Sequence, residues 1–163
     1  MFYFAYGSNL SLRRLKKRAP SAVLQGTFRL HQFELLFHKI GRDGSGKCDA
    51  FFTGQNHDVV YGRVFEITKA DKKSLDQCEG LGRGYDLRNV TVQNETGQTH
   101  TAFTYVATSI ESELAPFCWY RQHVLIGASE AKFPESYIEQ RLTVFCRRDP
   151  EEPRREREIS LYL

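Results

Sequence analysis

Between Phe2 and Ala107 the chain is a succession of short aromatic and β-branched runs, each cut off by glycine, asparagine or aspartate, and this punctuation constrains the fold most. Runs of that length with largely period-two alternation read as strands. Phe2 to Tyr6 is the first, a buried strand ending at Gly7. Gln25 to Lys39 carries Phe28, Leu30, Phe33, Leu35 and Phe37 in one long alternating segment with a single slip, which predicts a bulge. Cys48 to Gly54 and Val59 to Ile67 follow, with Asn56-His57-Asp58 as the turn between them. Tyr85 to Gln93 and Thr99 to Ala107 form a hairpin around Glu95-Thr96-Gly97.

Helical signals are fewer and concentrate late. A short helix, Ser11 to Arg18, turns Leu12 and Leu15 inward and is stopped by Pro20. Thr68, with Asp71 three residues on, marks an N-cap, and Gly80 is a C-terminal glycine cap, so the helix between them ends at Glu79. Pro116 to Gly127 and Pro134 to Phe145 are the remaining helices. Strands first and helices last predict an α+β fold with a strongly bent or closed sheet.

The 163 residues, 40% hydrophobic and 13% aromatic, suffice for one domain with its own core and leave no room for a second. Lys and Arg exceed Asp and Glu by 23 to 20, a net charge of only +3. Nucleic-acid binders concentrate basic residues in a patch, so no nucleic-acid partner is expected. The domain is placed at 1–146. The tail, 147–163, carries five arginines and five acidic residues up to Glu158 and reads as charge-balanced and mobile, its Ile159, Leu161 and Leu163 free to dock as an edge strand or to fray. Cys48, Cys78, Cys118 and Cys146 lack the close spacing of a zinc or redox pair and are expected as reduced thiols. The apolar Met1 to Tyr6 stretch is too short for a secretory signal, and no segment reaches membrane-spanning length, so no membrane partner and a cytoplasmic location are expected.

Two segments could carry chemistry. Gly7-Ser8-Asn9, after a buried strand, presents backbone N–H groups suited to a carboxylate or a developing oxyanion, or else is a polar strand-to-helix turn with Ser8 or Asn9 as the cap. Glu79, opening Glu79-Gly80-Leu81-Gly82-Arg83-Gly84-Tyr85, sits where the negative end of a helix raises a carboxyl pKa toward that of a general base, unless Arg83 or Arg88 pairs with it. His31 and His38 have no third spaced ligand and read as structural rather than metal-binding. The glycine-rich turn Gly41 to Lys47 lacks Walker spacing, so phosphate binding is a weak reading.

Phe4-Ala5-Tyr6-Gly7-Ser8-Asn9-Leu10 resembles the signature of the γ-glutamylcyclotransferase-like family, and Leu75-Asp76-Gln77-Cys78-Glu79-Gly80 resembles its L-D-x-x-E-G segment. Similarity extends through Arg14 to Ala22, Tyr61 to Phe65, Trp119-Tyr120, Gly127-Ala128 and Pro134 to Tyr137, nearly the whole chain to about Phe145. The better-known members carry W-x-G-G-x-A in the middle loop, where this chain has Asp43 to Ala50, and it is more similar to a bacterial-type branch. The resemblance implies a small mixed β-barrel with flanking helices, whose cavity receives a γ-glutamyl group. It implies attack of the substrate's α-amino nitrogen on its own γ-carbonyl, releasing 5-oxoproline and an amino acid or amine. Glu79 would be the acid/base; Tyr3, Tyr6, Gly7, Ser8, Asn9 and Leu10 would bind substrate, with Tyr120 as pocket wall or hydroxyl donor. Neither metal nor cofactor is needed, the partner is a small γ-glutamyl molecule, and there is room for a homodimer. γ-Glutamyl removal in a biosynthetic pathway, and a ligand-binding module without turnover, are the rival readings on the same fold.

Overall fold

The computed structural model describes residues 1–163. Five strands close into a mixed barrel: β1 (Phe2–Ala5), β2 (Val23–His31), β5 (Val59–Glu66), β6 (Tyr85–Gln93) and β7 (Thr99–Ala107), in the order β1-β5-β2-β6-β7. β1 runs antiparallel to β5, with Phe4 opposite Val64, and closes the barrel on its other side by parallel pairing of Tyr3 with Phe103 of β7. Side-chain alternation sorts the barrel strands between two buried faces. Phe4, Phe28, Val60, Val64, Val92 and Ala102 pack in one core; Tyr3, Ala5, Phe65, Phe103 and Tyr105 pack in the other, against Leu15 and Leu75 from the two helices α1 (Leu12–Arg18) and α2 (Lys69–Glu79).

The long alternating segment is not one bulged strand. Gln32, at φ 67°, takes the left-handed conformation and breaks it, so that β3 (Phe33–Ile40) leaves the barrel and pairs with β4 (Gly46–Phe52) as a separate two-stranded sheet. The slip in the pattern is that change of sheet, while the bulge within β2 lies earlier, between Leu24 and Gly26. The β3–β4 ribbon is tied to the barrel by the Asp49 carboxylate, which accepts from the Ala107 N–H at 2.8 Å, and by the Tyr85 hydroxyl, which donates to the Cys48 carbonyl at 2.6 Å.

Helices close the remaining sides. α3 (Cys118–Glu130) buries Tyr120, His123, Val124 and Ala128, and its Gly127 lies against Leu10, where a Cβ would stand 2.3 Å from the Leu10 Cβ. The helix expected from Pro134 is shorter, a turn α4 (Glu135–Tyr137) followed by a π-helical turn to Leu142.

Two expectations near the C-terminus need correction. Cys118 and Cys146 are joined by a disulfide across 28 residues, leaving Cys48 and Cys78 as the free thiols. The tail is neither an edge strand nor irregular: Glu152–Ile159 is a helix, α5, followed by a 3₁₀ turn to Tyr162. Pro153 occupies its first turn, where the missing N–H has no intrahelical partner to lose. Its balanced charges pair within it, Arg154 with Glu151 at 2.8 Å and Arg155 with Glu152 at 2.6 Å. Arg154 also binds Asp149 at 2.6 Å, and Glu158 reaches Arg14 on α1. No helix is long and apolar enough to cross a membrane.

Candidate active site

The Thr68 hydroxyl accepts from the Asp71 N–H at 3.2 Å and opens α2; Gly80 closes it in the left-handed region at φ 72°, its N–H returning to the last helical carbonyls. A side chain at that φ is strained, which is why a glycine stands there. Leu75, fully buried, anchors the helix on the barrel, and one turn later Glu79 is carried to the barrel end where β1 runs out.

There the Gly7 loop meets it. Glu79 Oε1 accepts from Asn9 Nδ2 at 2.9 Å and from Arg18 Nη1 at 2.9 Å, while Oε2 has no hydrogen-bond partner. Asn9 is held in turn, its Nδ2 3.0 Å from the Tyr3 hydroxyl and its Oδ1 accepting from Arg18 at 3.2 Å. Arg18 thus occupies the place considered for Arg83 or Arg88; Arg88 instead lies over the Phe33 and Phe52 rings. Glycine is required at position 7 by close approach: a Cβ there would stand 3.0 Å from the Cys48 Cβ and 3.4 Å from the Tyr120 hydroxyl. The Gly7 N–H has no acceptor in the protein. The Tyr120 hydroxyl accepts from the Cys48 N–H at 3.0 Å, so Tyr120 and Tyr85 hold the two peptide groups that flank the Cys48 Cα.

These groups enclose an inner cavity of about 30 Å³ lined by Tyr3, Tyr6, Gly7, Ser8, Asn9 and Tyr120 together with Cys48, Glu79, Tyr85 and Tyr105. Seven of the eight residues singled out from the sequence therefore meet at one place. Leu10 does not join them; it is fully buried under Gly127, and its carbonyl accepts from Arg63 at 2.9 Å. Ser8, Glu79, Tyr85 and Tyr120 also border an outer cavity of about 370 Å³, the mouth of the site.

Burial sets the protonation of the inner walls. It raises the Cys48 thiol to about 12, and it raises Tyr3, Tyr6, Tyr85, Tyr105 and Tyr120 well above the ordinary phenol value, the nearby Glu79 charge adding to the effect on Tyr3. All six stay protonated at neutral pH. Glu79 is the only carboxylate on that cavity.

Arg18, Cys48 and Tyr85 were not anticipated. Arg18 reads in sequence as part of the solvated face of α1, and no local pattern marks a cation whose partner lies 61 residues away. Tyr85 had a signal, as the end of the glycine-rich run that begins at Glu79. His38 is buried and hydrogen-bonded to Asp49 at 2.8 Å, whereas His31 is exposed on β2.

Comparison with known proteins agrees with the geometry. Residues 59–141 match the AIG2-like family. The chain is 36% identical over 140 residues to the γ-glutamylcyclotransferase of Bos taurus, covering 83% of this chain and 73% of the relative. It is 34% identical over 142 residues to that of Homo sapiens, covering 84% and 74%. Among solved structures, a γ-glutamyl cyclotransferase superposes with a TM-score of 0.86 at 29% identity, over 98% of this chain and 97% of the other. A Homo sapiens protein described as uncharacterized superposes at 0.81 with 32% identity, over 90% and 88%. The closed barrel with its flanking helices, the sequence relatives and the structural neighbours agree: the chain belongs to the AIG2-like family and is an enzyme of the γ-glutamylcyclotransferase type.

Proposed function

We propose that the protein cyclises the γ-glutamyl group of a small γ-glutamyl amide to 5-oxoproline and releases the amino acid or amine. The observation that carries this reading is the isolation of Glu79: a carboxylate with one oxygen fixed by Asn9 and Arg18 and the other unpartnered, facing a cavity whose other titratable walls are held protonated.

In this reading the glutamyl head lies along Tyr6 to Asn9, beside Tyr3 and Tyr120, with its γ-carbonyl oxygen toward the free Gly7 N–H. Oε2 of Glu79 takes a proton from the substrate α-ammonium. The freed nitrogen pair attacks the γ-carbonyl carbon and closes a five-membered ring, placing negative charge on the former carbonyl oxygen. Collapse of that oxyanion breaks the bond to the leaving nitrogen, which receives the proton held by Glu79, and the regenerated carboxylate takes the second proton from the ring nitrogen and passes it to the released amine. Nucleophile and electrophile belong to one molecule, so the enzyme's task is to fold the substrate, accept a proton and stabilise an oxyanion. The protonated phenols of Tyr3 and Tyr120 serve as hydrogen-bond donors and walls, not as bases.

The Asp43 to Ala50 loop, standing where better-known members carry W-x-G-G-x-A, supports reading the chain as a bacterial-type branch with a cytoplasmic γ-glutamyl metabolite as substrate. Assaying 5-oxoproline release from γ-glutamyl-alanine, γ-glutamylethylamide and glutathione tests the reading. Release from at least one is expected; none from any would overturn it in favour of a binding module.

A further inference from the structure

Three acidic and six basic side chains border the outer cavity. Each acid is taken: Glu79 by Arg18, Asp43 by Lys47 at 2.8 Å, and Glu158 by Arg14. Arg154 is held by Asp149. That leaves Lys39 and Arg42, neither of which meets a carboxylate.

Lys39 is the unusual one. Its residue is 94% removed from solvent, since only 6% remains exposed, yet its Nζ makes no hydrogen bond and no ion pair. It lies over the Tyr85 ring, whose centroid is 4.7 Å away, and beside Gly84, where an added Cβ would stand 3.0 Å from Nζ. The stem of Lys39 is buried while its ammonium lies on the wall of the open outer cavity, where the ring face compensates only in part for the missing counter-ion and an entering anion can reach it. Consistently, burial pulls its pKa below the ordinary lysine value, the Glu79 charge opposing this, with smaller effects from Arg42 in the same direction as burial and from Asp43 against it. The side chain has a reason to be there if an anion arrives.

Position selects which anion. Lys39 borders the outer cavity but not the inner one, whereas Glu79 and Tyr85 border both. A γ-glutamyl amide seated with its head in the inner cavity therefore directs its leaving half past Glu79 toward Lys39 and Arg42. We propose that Lys39, assisted by Arg42 at the rim, binds a carboxylate on the leaving group and is a specificity-determining residue that favours leaving amino acids over leaving amines. This rests on the proposed orientation of the substrate.

The test compares γ-glutamyl-alanine with γ-glutamylethylamide, which differ by that carboxylate. For wild type, Lys39→Met and Arg42→Gln, kcat/KM is measured for both, and calorimetric binding of both is measured in parallel. A charged hydrogen bond lost at a partly dry site corresponds to about 10- to 100-fold. The ratio of the two kcat/KM values should favour alanine in wild type and fall by about that factor in Lys39→Met. It should fall less in Arg42→Gln, an exposed position whose substitution leaves the fold intact if Lys39→Met does not. A wild type that treats the two compounds alike overturns the inference, as do substitutions that leave the ratio unchanged, even with 5-oxoproline still produced. Binding that prefers the carboxylate and loses the preference in the variants, with no 5-oxoproline from either compound or from glutathione, supports this subsite and overturns the cyclisation reading instead.

Discussion

Arg18 of α1 and Glu79 of α2 are joined across 61 residues by a 2.9 Å contact, and both also hold Asn9 of the Gly7 loop. The Gly7 loop and α1 thus converge on one oxygen of the α2 carboxylate and leave the other free.

Arg18 is accordingly a positioning residue. Arg18→Gln should lower kcat for 5-oxoproline release by about 10- to 100-fold, the scale of a lost charged hydrogen bond, with KM changed less. Arg18→Lys should restore part of the loss by returning the charge. A role confined to holding α1 against α2 would lower the melting temperature of Arg18→Gln without moving kcat, and lysine would give no catalytic rescue.

Gly7→Val places a branched side chain where the Cys48 Cβ already stands 3.0 Å from an ideal Cβ. The loop must move, and the cavity with it. Turnover should be abolished while the far-ultraviolet circular dichroism remains that of wild type. Wild-type kinetics in Gly7→Val would mean that the loop is only a turn.

Much of this was legible in the sequence, and the reason is local. Thr68 and Gly80 are position-specific caps, so the end of α2 and the location of Glu79 followed from side-chain chemistry alone. The β6–β7 hairpin matched its expected span because alternation and a turn with Gly97 agree there. What escaped notice depends on distant partners. Gln32 breaks the β2–β3 segment without a glycine or asparagine to announce it. α5 gave no helical signal because its arginines and glutamates cancel in composition, whereas their pairing and the docking of Glu158 on Arg14 exist only in three dimensions. Lys39 gave no signal for the same reason, since its significance lies in the partner it lacks.

The docking of α5 should be sensitive to acid. Burial disfavours ionised Glu158, but hydrogen bonds and charge from His123 and Arg14 prevail and hold its carboxyl at about 2, below the ordinary 4.5. Burial chiefly, with the Arg14 charge, lowers His123 below 6.5, although the hydrogen bond to Glu158 opposes this. A depressed carboxyl contributes stability that is present above 4.5 and is lost as pH falls toward 2. A histidine kept neutral in the fold contributes stability that declines as pH falls below 6.5. Both run the same way, so the melting temperature should decline on acidification from about pH 6.5 down to about pH 2. Glu158→Gln should lower it at neutral pH and flatten the part of the decline below pH 4.5. A Glu158→Gln curve parallel to wild type throughout would contradict this account of the docking.

The most direct measurement for the whole account is single-substrate kinetics of Glu79→Gln, with 5-oxoproline as the readout. Glutamine keeps the shape of the side chain and its place beside Asn9 and Arg18 but cannot accept the proton. The account predicts that kcat falls by about 10²- to 10⁴-fold, the contribution of a placed acid/base group, while KM changes little. A Glu79→Gln enzyme turning over within a few-fold of wild type would contradict it, leaving a cavity that only positions its substrate.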